Sequence, residues 1–128
     1  MIVVDASVLV AILRGEPGSE ALHVRLLEEP ALCMTAVNYW EVLARAARVA
    51  GPQGQRQASA LIDSYAIAVV SADRTLSDSA ADSFRIYGRP QPAGLNLGDC
   101  YAHALASQLD APLMFIGADF GRTNVRPA

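Results

Sequence analysis

The sequence predicts an α/β protein with a short, mainly parallel central sheet and helices on both faces, in three layers. Two observations carry this. Short apolar runs flanked by cap or turn residues recur at residues 2–4, 32–34, 67–70 and 113–116. Between them lie stretches with helical apolar spacing. Strands alternating with helices imply parallel pairing, because a parallel neighbour needs a crossover connection and such a sheet is buried on both sides. The chain has 128 residues, 52% of them hydrophobic, and no repeat, linker or low-complexity tract. One domain spanning 1–128 around one core is expected.

Each element follows from local signals. Residues 2–4 read as a buried strand and 6–14 as a buried helix stopped by Gly15, Pro17 and Gly18, with Asp5 at the junction. Residues 19–29 have helical spacing, with Leu22, Leu26 and Leu27 on one side and Pro30 as the stop. The strand 32–34 runs into Thr35, a cap for a helix from about 36 to 50 that ends at Gly51-Pro52. A further helix over about 53–65 leads into the strand 67–70. Ser71 and Asp73 offer caps for a helix over 74–87, closed by Gly88 and Pro90, and 89–94 is a Pro/Gly loop. Residues 98–109 are helical and 113–116 form a strand. The tail, 117–128, is expected to add a short edge strand near Val125. Trp40 and Tyr39 suit packing at a dimer interface or against a protein partner, with core packing the first expectation for Trp40.

Composition removes several function classes. The apolar stretches 8–13 and 66–70 are far too short to span a bilayer, and the N-terminus lacks a basic leader region, so a cytoplasmic protein without membrane association is expected. Cys33 and Cys100 sit among apolar neighbours in no metal-binding spacing and read as buried thiols. All ten basic residues are arginine. Without lysine, a Walker-type nucleotide site, a response-regulator receiver and a haloacid-dehalogenase phosphatase cannot be built in their usual form. The net charge of −3 argues against a broad nucleic-acid-binding surface but leaves room for a local one.

Four acids stand where composition alone does not explain them. Asp5 joins a buried strand to a buried helix, a costly place for a carboxylate without a cation or hydrogen bonds. Asp99 falls in the first turn of its helix, where the helix dipole already favours it by about 0.3–1 kcal/mol. Glu41 shares a helix face with Asn38, Arg45 and Arg48, and read alone it is a solvated residue paired with Arg45. Asp119 follows the last strand and also suits a turn. The predicted fold brings all four towards the C-terminal ends of the strands, where such sheets bind ligands. Converging carboxylates repel, whereas hard Mg²⁺ or Mn²⁺ lets all ionise, and such ions support phosphodiester hydrolysis. Setting these four aside leaves ten arginines against nine acids, a balance of +1 that repels a polyanion much less than the whole chain does. Ser7 can cap its helix or hydrogen-bond a ligating carboxylate. His103, one turn after Asp99, faces the same way on its helix, although a lone helical histidine is more often structural.

These motifs resemble those of the PIN-domain ribonucleases, and among them the VapC-type toxins of bacterial toxin–antitoxin pairs. The likeness rests on Val4-Asp5-Ala6-Ser7, on Asn38-Tyr39-Trp40-Glu41, on Leu97-Gly98-Asp99-Cys100-Tyr101-Ala102, and on Phe115-Ile116-Gly117-Ala118-Asp119-Phe120 followed by Arg122-Thr123. Their order and spacing cover nearly the whole chain. The resemblance implies a PIN-like α/β/α sandwich. It implies a metal site made of Asp5, Glu41 and Asp99, completed by Asp119 and supported by Ser7 and Thr123. The implied activity is a Mg²⁺-dependent endoribonuclease that inhibits translation and growth, with Mn²⁺ as a substitute. The implied partners are RNA, a second copy of the chain and a cognate VapB-type antitoxin, in a heterotetramer or larger assembly. Arg14, Arg45, Arg48 and Arg122 are candidates for RNA phosphate contacts. Many relatives carry Thr-Asp where this chain has Thr123-Asn124, so a fifth acid is absent. That departure keeps open a second reading, a catalytically weak PIN domain that binds RNA or antitoxin only. A metal phosphatase acting on small monoesters ranks behind both, since no glycine-rich phosphate loop is present.

Overall fold

The computed structural model describes residues 1–128. Four strands, β1 (Ile2–Val4), β2 (Leu32–Thr35), β3 (Ala68–Val70) and β4 (Leu113–Met114), form an all-parallel sheet in the order β3-β2-β1-β4. The helices are α1 (Ala6–Arg14), α2 (Ser19–Glu28), α3 (Ala36–Ser64), α4 (Arg74–Tyr87) and α5 (Leu97–Gln108). The alternation of β1 builds both cores. Ile2 and Val4 point into one with Leu9, Leu26, Met34 and Ile62, under α1–α3; Val3 points into the other with Leu76, Leu105 and Leu113, under α4 and α5. Burying each such side chain stabilises the fold by about 1.5–3 kcal/mol. None of the helices is long and apolar enough to cross a membrane.

Most elements start where a capping residue stands. Asp5 caps α1 and Gly15 ends it in the left-handed conformation; Thr35 caps α3 and Asp73 caps α4 through their side chains. The helices expected at about 36–50 and 53–65 run as one element, α3, kinked where Ala50 and Gly51 leave helical geometry. Gly51 sits at φ +60°, and Pro52 restarts the helix where its missing N–H is not needed.

Three expectations fail. The last strand stops at Met114 instead of 116, so Asp119 does not follow it directly but opens a 3₁₀ turn, Asp119–Arg122. The edge strand near Val125 is reduced to a single parallel bridge between Leu113 and Pro127. Pro127 has no N–H to donate, and the Val125 N–H is taken by the Thr123 hydroxyl, so no ladder can form. Trp40 is not in the core: it is 64% exposed. The helix turns its apolar face inward through Val42, while Tyr39 packs on the core edge and is hydrogen-bonded to Ser59 at 2.9 Å.

Candidate active site

In this strand order the chain moves from β1 through β2 to β3 on one side and places β4 on the other. The crevice beyond β1 and β4 is therefore a topological switch point, where open α/β sheets bind ligands. Asp5, Glu41, Asp99 and Asp119 all line one pocket there, together with Ser7 and Arg45. Four different elements deliver the acids: Asp5 from the β1–α1 junction, Glu41 from the second turn of α3, Asp99 from the first turn of α5, and Asp119 from the 3₁₀ turn.

Asp5 is only 5% exposed. Its Oδ2 accepts from the Ser7 N–H at 3.1 Å, and the Ser7 side chain also bonds it. Burial nevertheless pushes the Asp5 carboxyl above its ordinary value, with Arg45 opposing. Ser7 Oγ accepts in turn from the Ile116 N–H at 3.0 Å. It is thus not the helix cap but a tie between α1, the Asp5 carboxylate and the chain leaving β4.

Glu41 is held by a network that sequence reasoning passed over. Asn38 is completely buried. Its Nδ2 donates to Glu41 Oε1 at 2.9 Å and to the Gly98 carbonyl at 3.0 Å, while its Oδ1 accepts from the Thr35 hydroxyl at 2.6 Å. One amide therefore locks α3 to α5 beside the carboxylate. Gly98 completes the fit, since a Cβ there would overlap the Glu41 carboxylate. The available signals were an Asn one turn before the Glu and a Gly in the first turn of the helix that carries Asp99. Glu41 is pushed up to about 7, first by burial and then by Asp5 and Asp99, against the Asn38 bond.

Asp99 forms a capping box with Asn96: Asp99 N–H donates to Asn96 Oδ1 at 2.9 Å, and Asn96 N–H donates to Asp99 Oδ2 at 3.1 Å. Its carboxyl is nonetheless raised to about 6 by burial and then by Asp5 and Asp119. Helix capping is part of its role, but it does not offset the neighbouring acids. Nor does a hydrogen-bonded partner neutralise Asp119, which is exposed at the rim.

Other candidates separate. Arg45 lines the acid pocket, and with Arg14 and Arg48 it also lines an adjoining cleft. Arg122 is exposed on the 3₁₀ turn and lines neither. Thr123 does not reach the acids; its hydroxyl donates to the Phe120 carbonyl at 2.8 Å and fixes the turn that presents Asp119. His103 is buried and does not line the acid pocket. It is hydrogen-bonded through Nδ1 to Ser83 at 2.7 Å and through Nε2 to Asn124 at 2.8 Å. Cys33 and Cys100 are buried free thiols, as expected, and lie in the core.

The donor set, all carboxylate oxygens and mutually repelling, suits a hard divalent cation. No three His, Cys, Asp or Glu side chains are grouped closely enough to enclose an ion as they stand. An ion accommodated without rearrangement would take one or two carboxylates and fill its remaining positions with water, the habit of Mg²⁺.

Comparison with known proteins fits this geometry. Residues 2–125 match the PIN domain family. The chain is 42% identical to ribonuclease VapC42 of Mycobacterium tuberculosis over 128 residues, covering 98% of each chain. It is 36% identical to a ribonuclease VapC of Mycolicibacterium smegmatis, covering 96% of each. Among solved structures it is similar to Mycobacterium tuberculosis VapC20, described as a toxin that cleaves the sarcin–ricin loop. There the TM-score is 0.82 at 15% identity, covering 100% of this chain and 98% of that one. A toxin–antitoxin complex from Klebsiella pneumoniae gives a TM-score of 0.70 at 17% identity, covering 97% and 93%. At such identities the structural likeness speaks to the fold alone. An α/β/α sandwich with acids gathered at the β1/β4 switch point, matched along nearly its whole length, defines the class: the chain belongs to the PIN-domain family. Within that family its sequence groups with the VapC ribonucleases.

Proposed function

We propose that this chain is a divalent-cation-dependent endoribonuclease and the toxin of a toxin–antitoxin pair. The observation that carries the reading is the gathering of Asp5, Glu41, Asp99 and Asp119 in one pocket, with three of these carboxyls raised. Carboxyls raised by burial and, for Glu41 and Asp99, by neighbouring acids cluster at functional sites. Relatives named as ribonucleases supply the substrate class.

Asp5, Glu41 and Asp99 would hold Mg²⁺, or Mn²⁺ in its place, one or two of them directly and the rest through its waters, with Asp119 at the rim. The bound ion would supply activation of water and neutralisation of charge at the scissile phosphate. The protein's part is positioning. Ser7 and the α1 cap fix Asp5, the Asn38 amide fixes Glu41 against α5, and the capping box fixes Asp99. Arg45 sits where a phosphate oxygen entering the pocket meets a cation beside the acids. Solved relatives include toxin–antitoxin complexes, and a cognate VapB-type antitoxin covering this site is part of the proposal, as are a homodimer and a cytoplasmic location. The binding-only reading rests on Asn124 alone, and in the folded chain the Asn124 amide oxygen is hydrogen-bonded to His103.

The test is incubation of the purified protein with cellular RNA in Mg²⁺ or EDTA, with mapping of new 5′ ends. Discrete cuts that require Mg²⁺ and vanish in Asp5→Asn are expected; asparagine still caps α1, so the fold is retained. Full cutting by Asp5→Asn, or in EDTA, would refute the proposal.

A further inference from the structure

Beside the acid pocket lies a second, open cleft whose aromatic wall no role assigned above explains. It is lined by Arg14, Trp40, Glu41, Ala44, Arg45 and Arg48. Glu41 and Arg45 line both depressions, so the two adjoin. Along α3 the lining falls into two adjacent rows, Trp40–Ala44–Arg48 and Glu41–Arg45, each stepping by one helical turn. Ala44 is small, so the floor between Trp40 and Arg48 is open. These two lie two turns apart, about 12 Å along the axis.

Two features set this cleft apart from ordinary solvated surface. Trp40 is the only tryptophan in the chain and is 64% exposed. Arg45 and Arg48 form no ion pair, and Arg14 has only a loose contact with Glu16 at 3.9 Å. In a chain of net charge −3, three arginines around one aromatic face make a local positive site that opens onto an acid pocket. Exposed aromatic rings next to arginines are how proteins hold single-stranded nucleic acid: the bases stack and the phosphates are paired.

We infer that this cleft binds an unpaired nucleotide next to the scissile phosphate, its base stacked on Trp40 and its phosphates held by Arg45 and Arg48. Trp40 is then a substrate-binding residue that selects RNA whose bases are free to unstack. The inference rests on the ribonuclease reading and narrows its substrate to unpaired segments. A protein partner on the same face is the rival, but two unpaired arginines and a third held only loosely by Glu16 favour a polyanion.

The single tryptophan makes the test direct. A fluorescein-labelled oligouridylate is titrated into the full chain in EDTA, where no cutting occurs, with anisotropy and tryptophan emission read together. Saturable quenching of Trp40 with the same midpoint as the anisotropy is expected. Trp40→Ala should bind roughly tenfold more weakly, Trp40→Phe should recover most of the affinity, and an RNA duplex of equal length should bind more weakly without quenching. Arg48→Gln should weaken binding and flatten its salt dependence.

Oligouridylate binding that is unchanged in Trp40→Ala, or that saturates without quenching, would overturn the inference. So would a Trp40→Ala chain that binds normally but loses its self-association, since the face would then be a protein interface. If the wild type cuts RNA in Mg²⁺ while Trp40→Ala binds normally, the inference fails and the ribonuclease reading stands. A wild type that neither binds nor cuts RNA removes both.

Discussion

Two polar clusters flank α5, one helical turn apart, and they are built on opposite principles. Asp99 stands in the first turn, raised to about 6 by burial and then by the acids around it. His103, four residues later, is buried in a closed pair of hydrogen bonds to Ser83 and Asn124. The second cluster satisfies its members and joins α4, α5 and the C-terminal tail. The first leaves its members in conflict that no protein group resolves. Unresolved charge at a switch point marks the working site, and satisfied polarity nearby marks scaffold; residue type and helical spacing do not separate the two.

Substitutions in the two clusters should therefore have opposite signatures. Removing a carboxylate has the largest expected effect. Asp99→Asn and Glu41→Gln should each lower RNA cleavage at least about 100-fold, more than the loss of a residue that only orients a metal ligand. They should leave the circular dichroism spectrum intact. Cleavage within a few-fold of wild type would merge the two clusters into one structural class.

Gly98→Ala sharpens the same contrast, because the added methyl overlaps the Glu41 carboxylate and moves it. A fall in cleavage of about tenfold or more is expected with little change in stability, since only the end of one side chain must shift, read by activity per folded molecule and by urea unfolding. In the scaffold cluster the order reverses. His103→Ala leaves Ser83 and Asn124 without their partner and should cost about 1–3 kcal/mol of stability, with cleavage per folded molecule within a few-fold of wild type. A specific loss of cleavage in stable His103→Ala protein would place that ring in the working site.

The smallest effect is on pH dependence. Below the ordinary values, 4.5 for Glu41 and 3.8 for Asp99, folded and unfolded chains are both protonated at these groups. As pH rises towards about 7 for Glu41 and about 6 for Asp99, the unfolded chain releases protons that the folded chain keeps, so these groups lower stability. Both are partly open to solvent, and the loss is on the order of 1 kcal/mol for each. Metal-free protein should therefore melt at a lower temperature at pH 8 than at pH 5.5, and Asp99→Asn should reduce that difference. A melting temperature that rises with pH over this window would contradict the assigned burial.

The layout was largely legible in the sequence because its signals are local: caps at Asp5, Thr35 and Asp73, stops at Gly15 and Gly51-Pro52, and short apolar strands. The gathering of Asp5, Glu41, Asp99 and Asp119 was also within reach, once parallel topology placed strand ends and helix starts on one edge. What escaped depends on contacts between distant segments. Asn38 bonds Gly98 across 60 positions, Ser7 bonds Ile116 across 109, and Asn124 meets His103 through the folded tail. Trp40 escaped for a different reason: composition favours burying an indole, and only the fold reveals that its position on α3 faces out.

The central claim is that the conflict among these carboxylates is resolved by a divalent cation. Calorimetric titration of Mn²⁺ into the metal-free chain near pH 6.5, in buffers of different ionisation enthalpy, tests it most directly. Glu41 and Asp99 hold protons in part at that pH, and cation binding should displace them. Saturable binding with proton release is expected, with the release shrinking towards zero at pH 8.5 and the binding lost in Asp5→Asn. No saturable binding, or binding undiminished in Asp5→Asn, would contradict the account.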